Sequence, residues 1–128
     1  LHRFNMNVDL AGQTIGGTVI GVTGNPEICQ ILSAYAHEAG MGVSLKHQIW
    51  GSDSNSFAWK GVPAMTLNRD GFGMHTRHDT AALISTWSLE RSSRLLAMVA
   101  ERLASAEVFP FPREGPEKFR EELNAFFE

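Results

Sequence analysis

Residues 51–64 read GSDSNSFAWKGVPA, and residues 73–80, a short distance further along the chain, read GMHTRHDT. The first stretch predicts a short helix over 54–60 and then a strand over 63–67. That strand is short and apolar enough to lie in the centre of a sheet. Residues 68–80 contain glycine, histidine and other polar residues without periodicity. They are typical of a functional loop that follows the carboxyl end of a strand.

Upstream of this stretch the pattern predicts three more strands. Residues 4–10 alternate loosely, residues 16–23 are rich in β-branched side chains between glycines, and residues 43–50 form the third strand. The linker over 11–14 is short, whereas a parallel pair needs a long crossover. We therefore expect the first two strands to be antiparallel neighbours.

Helices alternate with these strands. Asn25 followed by Pro26 predicts a helix start, and Gly40 stands where a left-handed C-terminal cap is needed. Ser85 is predicted to cap a long helix that covers one face of the sheet. Its expected apolar stripe consists of Leu89, Leu96, Val99, Ala100 and Leu103. Strands alternating with helices indicate the α/β class, with a mixed β-sheet flanked by helices.

The chain divides at a proline- and phenylalanine-rich stretch. Residues 1–108 carry the strand and helix pattern, and residues 109–128 read as a linker followed by an amphipathic helix over 116–127. The net charge of −3, with lysine and arginine scattered, argues against a nucleic-acid partner. No apolar run is long enough to suggest a membrane partner. The single Cys29 fits a helix as a small buried hydrophobe, and it does not determine the compartment.

Three segments, in order, resemble zinc aminopeptidases of the M28 peptidase family. Residues 7–12, NVDLAG, are similar to that family's N-x-D-M-x-G strand end. Residues 52–64 are similar to its S-D-x-x-x-F-x-x-x-G-[IV]-P-A pattern, and residues 75–80 to its H-T-x-x-D-T segment. The resemblance covers roughly the first 105 residues. It implies part of a zinc-exopeptidase (phosphorylase/hydrolase-like) fold.

The resemblance also implies roles for five residues. Asp9 would bind one of two zinc ions, and His75 would bind the other through a neutral imidazole nitrogen. Asp53 would lie beside the metals as a supporting group. Asp79 and Thr80 would hold the loop that presents the histidine.

Two positions depart from the family's pattern. Ser54 stands where the family often has histidine, and Met74 where many members place a tyrosine that can donate to a developing oxyanion. His78 has no counterpart and is expected at the surface. The family's H-x-D segment and E-E pair, which supply the other zinc ligands and the general base, lie upstream of the strand that bears Asp9. Only eight residues precede Asp9 here.

We therefore expect the chain to be the C-terminal part of a di-zinc aminopeptidase that removes N-terminal residues from peptides. We expect this chain to contain no catalytic residue and to be inactive alone. The complete domain would hold two zinc ions. An exposed sheet edge would favour self-association. Two alternatives stay open: a non-catalytic binding or scaffold domain of this fold, and a zinc acyltransferase similar to glutaminyl cyclases. The latter would need a closed aromatic pocket, which Trp50, Trp59 and Trp87 could line or could leave for packing elsewhere.

Overall fold

The computed structural model describes residues 2–128. Its elements are β1 (Asn5–Val8), β2 (Thr18–Thr23), α1 (Glu27–Glu38), β3 (Val43–His47), α2 (Ser54–Trp59), β4 (Ala64–Arg69), a 3-10 turn (Ala81–Leu83), α3 (Thr86–Ala104) and α4 (Glu117–Phe127). The strands form one mixed sheet in the order β1-β4-β2-β3. The α/β class and the mixed sheet are confirmed.

β4 lies inside the sheet, as its apolar sequence predicts, and it separates β1 from β2. β1 pairs with β4 in parallel, and β2 pairs with β4 antiparallel and with β3 in parallel. The prediction that β1 and β2 are antiparallel neighbours is therefore wrong. The two strands do run in opposite directions, but their linker crosses the end of β4. Such a link need only span two strand spacings, about 10 Å.

The sheet has a helix layer on each face. α1 and α3 contact each other on one face, and α2 and α4 contact each other on the opposite face. The core between the sheet and the α1/α3 layer is apolar and consists of Ile20, Val22, Ile28, Leu32, Ala36, Met65, Leu67, Leu95, Val99 and Leu103, together with Met41 and Phe111. Burial of these side chains is the main source of stability, at roughly 25 cal/mol per Å² of apolar surface.

Local signals place α1 and α3 correctly along the chain. The Asn25 side chain accepts from the Glu27 N–H (3.0 Å), and Gly40 has a φ of +67° at the end of α1. The Ser85 side chain accepts from the Ser88 N–H (3.3 Å) at the start of α3. The predicted Ser85 cap is confirmed. At the start of α1 the N-cap is Pro26, and Asn25 bonds the Glu27 N–H from one position before it. Among residues 2–128, no helix is both long and apolar enough to cross a membrane.

The predicted apolar stripe of α3 is partly wrong. The buried positions are Ser88, Ser92, Leu95, Val99 and Leu103. Leu89 is 42% exposed, and Ala100 is exposed as well. The stripe is rotated because two small serines allow the first turns of α3 to approach the linker after β1, where the Ser92 Oγ donates to the Ala11 carbonyl (3.4 Å).

Residues 109–128 pack against the rest of the molecule. Phe111 is buried, with its ring 4.9 Å from that of Phe4. The Trp59 indole of α2 donates to the Asn124 side chain of α4 (2.9 Å). The amphipathic helix is confirmed, and Phe119 and Leu123 lie on its buried side.

Candidate functional site

The carboxyl ends of β1 and β4 lie at the same edge of the sheet because the two strands are parallel neighbours. Asp9 directly follows β1, and its backbone N–H donates to the Leu67 carbonyl of β4 (3.1 Å). The loop that contains His75 leaves β4 after Arg69, also at this edge. A carboxylate and an imidazole, two ligand types that zinc accepts, are thus carried by neighbouring strand ends.

Asn7 connects Asp9 to the segment that precedes α2. Its side-chain N–H₂ donates to Asp9 Oδ1 (2.6 Å) and to Ser52 Oγ (2.9 Å). A carboxylate can only accept, so this contact sets the orientation of the Asn7 amide. Among the described residues, no donor reaches the second oxygen of Asp9. The exposed carboxylate is therefore oriented through one oxygen and open at the other.

One cross-strand row of the sheet positions the segment that precedes α2. The strand register places Asn7 opposite Thr66, and Thr66 opposite Gly21. Asn7 and Thr66 each hydrogen-bond Ser52 Oγ at 2.9 Å. Gly21 leaves room for an indole, since a Cβ there would lie 2.1 Å from Trp50 Cζ2. This row of Asn7, Thr66 and Gly21 therefore determines where the segment that contains Trp50 and Ser52 packs on the sheet.

Ser54 is buried inside a cluster of three hydroxyl groups. Its Oγ donates to Ser52 Oγ (3.1 Å) and accepts from Thr66 Oγ1 (2.9 Å). Its backbone N–H also donates to Ser52 Oγ (3.3 Å). At the position where the M28 pattern often has histidine, this chain therefore uses a side chain that stabilises the α2 layer. The Ser54 hydroxyl does not face the exposed edge.

His75 is the third residue of a tight turn from Gly73 to Thr76. The Thr76 N–H (3.0 Å) and Oγ1 (2.6 Å) both donate to the Gly73 carbonyl. His75 has a φ of +62°, and among residues 2–128 it is the one non-glycine residue with positive φ. Such a conformation costs on the order of 1–3 kcal/mol and is frequent at functional sites. The turn leaves the imidazole exposed to solvent.

The other three predicted site residues are exposed, and their hydrogen bonds are made by backbone groups. Asp53 precedes α2 without capping it through its side chain. The Asp79 N–H donates to the Thr76 carbonyl (3.1 Å), and the Thr80 carbonyl accepts from the Leu83 N–H (3.0 Å). Within residues 2–128, the Asp79 carboxylate makes no hydrogen bond to His75. Side-chain support of the turn comes from Thr76, while the metal-supporting roles of Asp53, Asp79 and Thr80 stay predictions.

The remaining candidate side chains near this loop add no hydrogen-bond donor to the turn. Met74, beside His75, is 45% exposed, and a thioether is only a weak acceptor. His78 lies at the surface, as predicted, and its ring is 6.5 Å from that of Phe72.

Cys29 packs against the core as a half-buried hydrophobe, and burial raises the pKa of its thiol. The Glu38 carboxylate, which pairs with Arg102, raises the pKa of that guanidinium.

Two residues that organise this edge were not predicted as site residues. Gln13 is 7% exposed and hydrogen-bonds the backbone of Phe72 in the His75 loop. Asn7 is part of the quoted strand-end motif, but the motif alone does not indicate that it bonds Ser52. A glutamine in a linker rich in small residues gives no local signal, because its partner lies 59 positions along the chain.

The donor set at this edge suits zinc in type but is incomplete in number. A catalytic zinc typically has three protein ligands and a water, and Asp9 and His75 would supply one ligand to each of two ions. Among residues 2–128, no three side chains of His, Cys, Asp or Glu lie close enough together to hold a metal. Comparison with protein families, curated proteins and solved structures gives no match to this chain.

Proposed function

We propose that this chain is the C-terminal part of an M28-like di-zinc aminopeptidase domain, with part of the zinc-exopeptidase fold. The observation that supports the proposal best is the parallel pairing of β1 with β4, which carries Asp9 and the His75 loop to one sheet edge. The hydrogen bond from Asn7 to Asp9 adds support, since carboxylate ligands of metals are usually held by such partners. The substrate would be a peptide with a free N-terminus.

In this proposal the residues of the chain bind and orient, and upstream segments supply the general base and the remaining ligands. Asp9 would hold one zinc through its free oxygen, and the exposed imidazole of His75 would hold the other. Zinc, when bound, lowers the pKa of its water and polarises the scissile carbonyl. Met74 cannot donate to a developing oxyanion, so that charge would be stabilised by another group.

The non-catalytic scaffold is the second candidate, and a specific observation favours it. Ser54 and Met74 occupy two positions where the family's pattern has groups suited to the site, and Ser54 is committed to the buried hydroxyl cluster. The cyclase alternative has less support because the three tryptophans have separate partners. Trp50 packs on Gly21, Trp59 stacks on Phe127, and Trp87 lies under Arg91.

The decisive experiment assays the complete domain, meaning this chain joined to the segments that carry the missing ligands. We expect zinc-dependent hydrolysis of aminoacyl substrates and no cyclisation of N-terminal glutaminyl peptides. Cyclisation without hydrolysis would favour the acyltransferase, and neither activity in a zinc-loaded domain would favour the scaffold. The 128-residue chain alone should bind zinc more weakly than micromolar in calorimetric titration, because it offers one candidate ligand per ion.

A further inference from the structure

Gln13 uses its side chain in the way that a strand uses its backbone. Its Oε1 accepts from the Phe72 N–H (2.9 Å), and its Nε2 donates to the Phe72 carbonyl (3.0 Å). Two opposed bonds to a single residue reproduce the paired bonding of an antiparallel ladder. Only a carboxamide carries one donor and one acceptor in this planar arrangement. The contact therefore requires an amide, and not only a polar group, at position 13.

The backbone around Gln13 holds the other end of the same loop. The Thr14 N–H donates to the Leu83 carbonyl (2.9 Å), and the Ser85 N–H donates to the Gly12 carbonyl (2.7 Å). Both ends of the loop over residues 72–83 are thus hydrogen-bonded to one three-residue segment, 12–14. We call this segment the clamp. It fixes the two ends of the loop that contains His75.

Gly71 shows how closely the clamp side chain fits. A Cβ at Gly71 would lie 2.1 Å from Gln13 Cδ and 2.3 Å from its Oε1. The φ of Gly71 is not in the left-handed region, so the backbone does not demand glycine there. The requirement for glycine comes from the Gln13 carboxamide, which lies against the chain just before Phe72.

His75 needs such an external constraint. The turn that contains it begins at Gly73, directly after Phe72, and His75 has a positive φ, which few non-glycine residues adopt. A residue in this conformation persists only where its surroundings impose it. The Asp79 carboxylate, which the sequence suggested for this task, does not bond the imidazole within the described residues.

We propose that Gln13 is a positioning residue that holds the His75 loop in its metal-presenting conformation. This inference rests on the proposed zinc function, but its first test does not. In the 128-residue chain, Gln13→Met keeps the length of the side chain and removes both bonds. Gln30→Met makes the same change on the exposed face of α1 and is the matched control.

Hydrogen exchange reports the clamp directly through the Phe72 amide. With Gln13→Met, we expect exchange at Phe72 to accelerate roughly tenfold to a hundredfold, because two hydrogen bonds are lost. Amides in the centre of α1 should keep their rates, and Gln30→Met should change neither set. Gln13→Glu keeps an acceptor for the Phe72 N–H but cannot donate to its carbonyl, so it should give an intermediate rate. It also serves if Gln13→Met does not fold. Unchanged exchange at Phe72 in both variants would overturn the inference.

A double-mutant cycle tests the fit against Gly71. Gly71→Ala alone should accelerate exchange at Phe72, because the new methyl displaces the carboxamide. Adding Gly71→Ala to Gln13→Ala should have little further effect, since the clashing group is gone. Additive effects of the two changes would contradict the contact.

Metal affinity of the complete domain separates the clamp from the proposed function. There, Gln13→Met should weaken zinc binding or lower kcat by about tenfold at unchanged KM, as supporting partners of ligands do. Faster exchange at Phe72 with zinc affinity and kcat both unaltered in a zinc-binding domain would overturn the positioning role. A domain with no zinc affinity would overturn the proposed function, and the exchange data would still decide whether the clamp exists.

Discussion

The side-chain amide of Asn7 lies 2.6 Å from the carboxylate of Asp9 and donates a hydrogen bond to it. The same amide donates to Ser52 Oγ, so one side chain joins the end of β1 to the segment ahead of α2. Asp9 therefore has an oriented carboxylate although it is exposed. The orientation of this carboxylate depends on a neighbour two positions earlier, in β1.

Asn7→Asp should destabilise the chain at neutral pH. The change removes the N–H₂ group that donates to Asp9 Oδ1 and to Ser52 Oγ, and it places a second carboxylate against Asp9. We therefore expect a loss of about 1–3 kcal/mol in the free energy of unfolding. Urea denaturation at pH 7 measures it. Asn7→Ala, which removes the donors without adding charge, should cost less, and equal stability of Asn7→Asp and the parent would refute the contact.

Gly21→Ala should destabilise the chain by about 1–3 kcal/mol, because overpacking forces neighbouring groups to shift. The added methyl would meet the Trp50 ring. Gly17→Ala is the matched control, since a Cβ there meets nothing within 4 Å. Denaturant unfolding followed by tryptophan fluorescence checks both. Replacing Trp50 with Leu in the Gly21→Ala background should recover part of the loss, and a control as damaging as Gly21→Ala would contradict the explanation.

In the complete domain, Asp9→Asn and His75→Asn should each remove most peptidase activity while leaving the fold intact. Both side chains are exposed, and asparagine tolerates the positive φ of His75 better than alanine does. Asp79→Asn should give a milder defect, roughly 10- to 100-fold. Turnover of an aminoacyl substrate and metal content by atomic absorption test this. Near-parental turnover by a metal-loaded His75→Asn domain would show that the ligand assignment is wrong.

Self-association should depend on the free edge of β1. β1 is an outer strand, and the N–H groups of Asn5 and Asp9 donate to the carbonyls of Pro63, just before β4, and of Leu67 in β4, so the alternate peptide groups point away from the sheet. Val8 is 45% exposed on this strand. Val8→Lys should shift sedimentation toward monomer at tens of micromolar, because lysine on an edge opposes strand pairing.

Val108→Lys is the control for this effect, since Val108 is 82% exposed and lies outside the sheet. It should leave the association unchanged. A parent chain that sediments as a monomer at the same concentration would contradict self-association itself.

Cys29 should react slowly in the folded chain. Burial raises the pKa of its thiol, so less reactive thiolate is present at a given pH. Alkylation by iodoacetamide at pH 8.5 should be slower in the native state than in urea. The stability contributed by the neutral thiol is fully present below the pKa of the unfolded thiol and is lost as pH rises from there through the pKa of the folded thiol, because the unfolded state ionises first. This is the only cysteine, so mass spectrometry gives an unambiguous rate, and equal rates in both states would contradict the shift.

Local signals predicted the elements of this chain better than their arrangement. Asn25, Gly40 and Ser85 mark helix ends because capping depends on the residues within one turn of the helix end. The position of β4 between β1 and β2 has no such marker, since it depends on pairing between distant segments. The buried stripe of α3 was mispredicted for the same reason. Ser88 and Ser92 are buried where α3 approaches the linker after β1, but in the sequence a serine indicates an exposed position.

In the candidate site, too, local motifs were easier to predict than contacts between distant segments. The motifs suggested Asp9 and His75 as candidate ligands, and the parallel pairing of β1 with β4 carries the segments that follow these strands to one edge. The bonds of Asn7 to Ser52 and of Gln13 to Phe72 could not be predicted because both partners are distant in sequence. Ser54 could be recognised as a departure from the pattern, but only the burial of its hydroxyl explains what it does.

The pairing of Asn5 with Ala64 also has a consequence for the order of folding. β2, α1 and β3 are consecutive and can form a unit from nearby contacts, whereas β1 must wait for β4, and contacts between distant segments form slowly. We expect β1 to dock last, which pulse-labelled exchange during refolding would test through late protection of Asn7. Asn7, which orients Asp9, would then reach Ser52 only when the rest of the sheet is complete. A partly folded chain would present no oriented carboxylate, so the zinc binding proposed for Asp9 would be postponed until the fold has passed its slowest step.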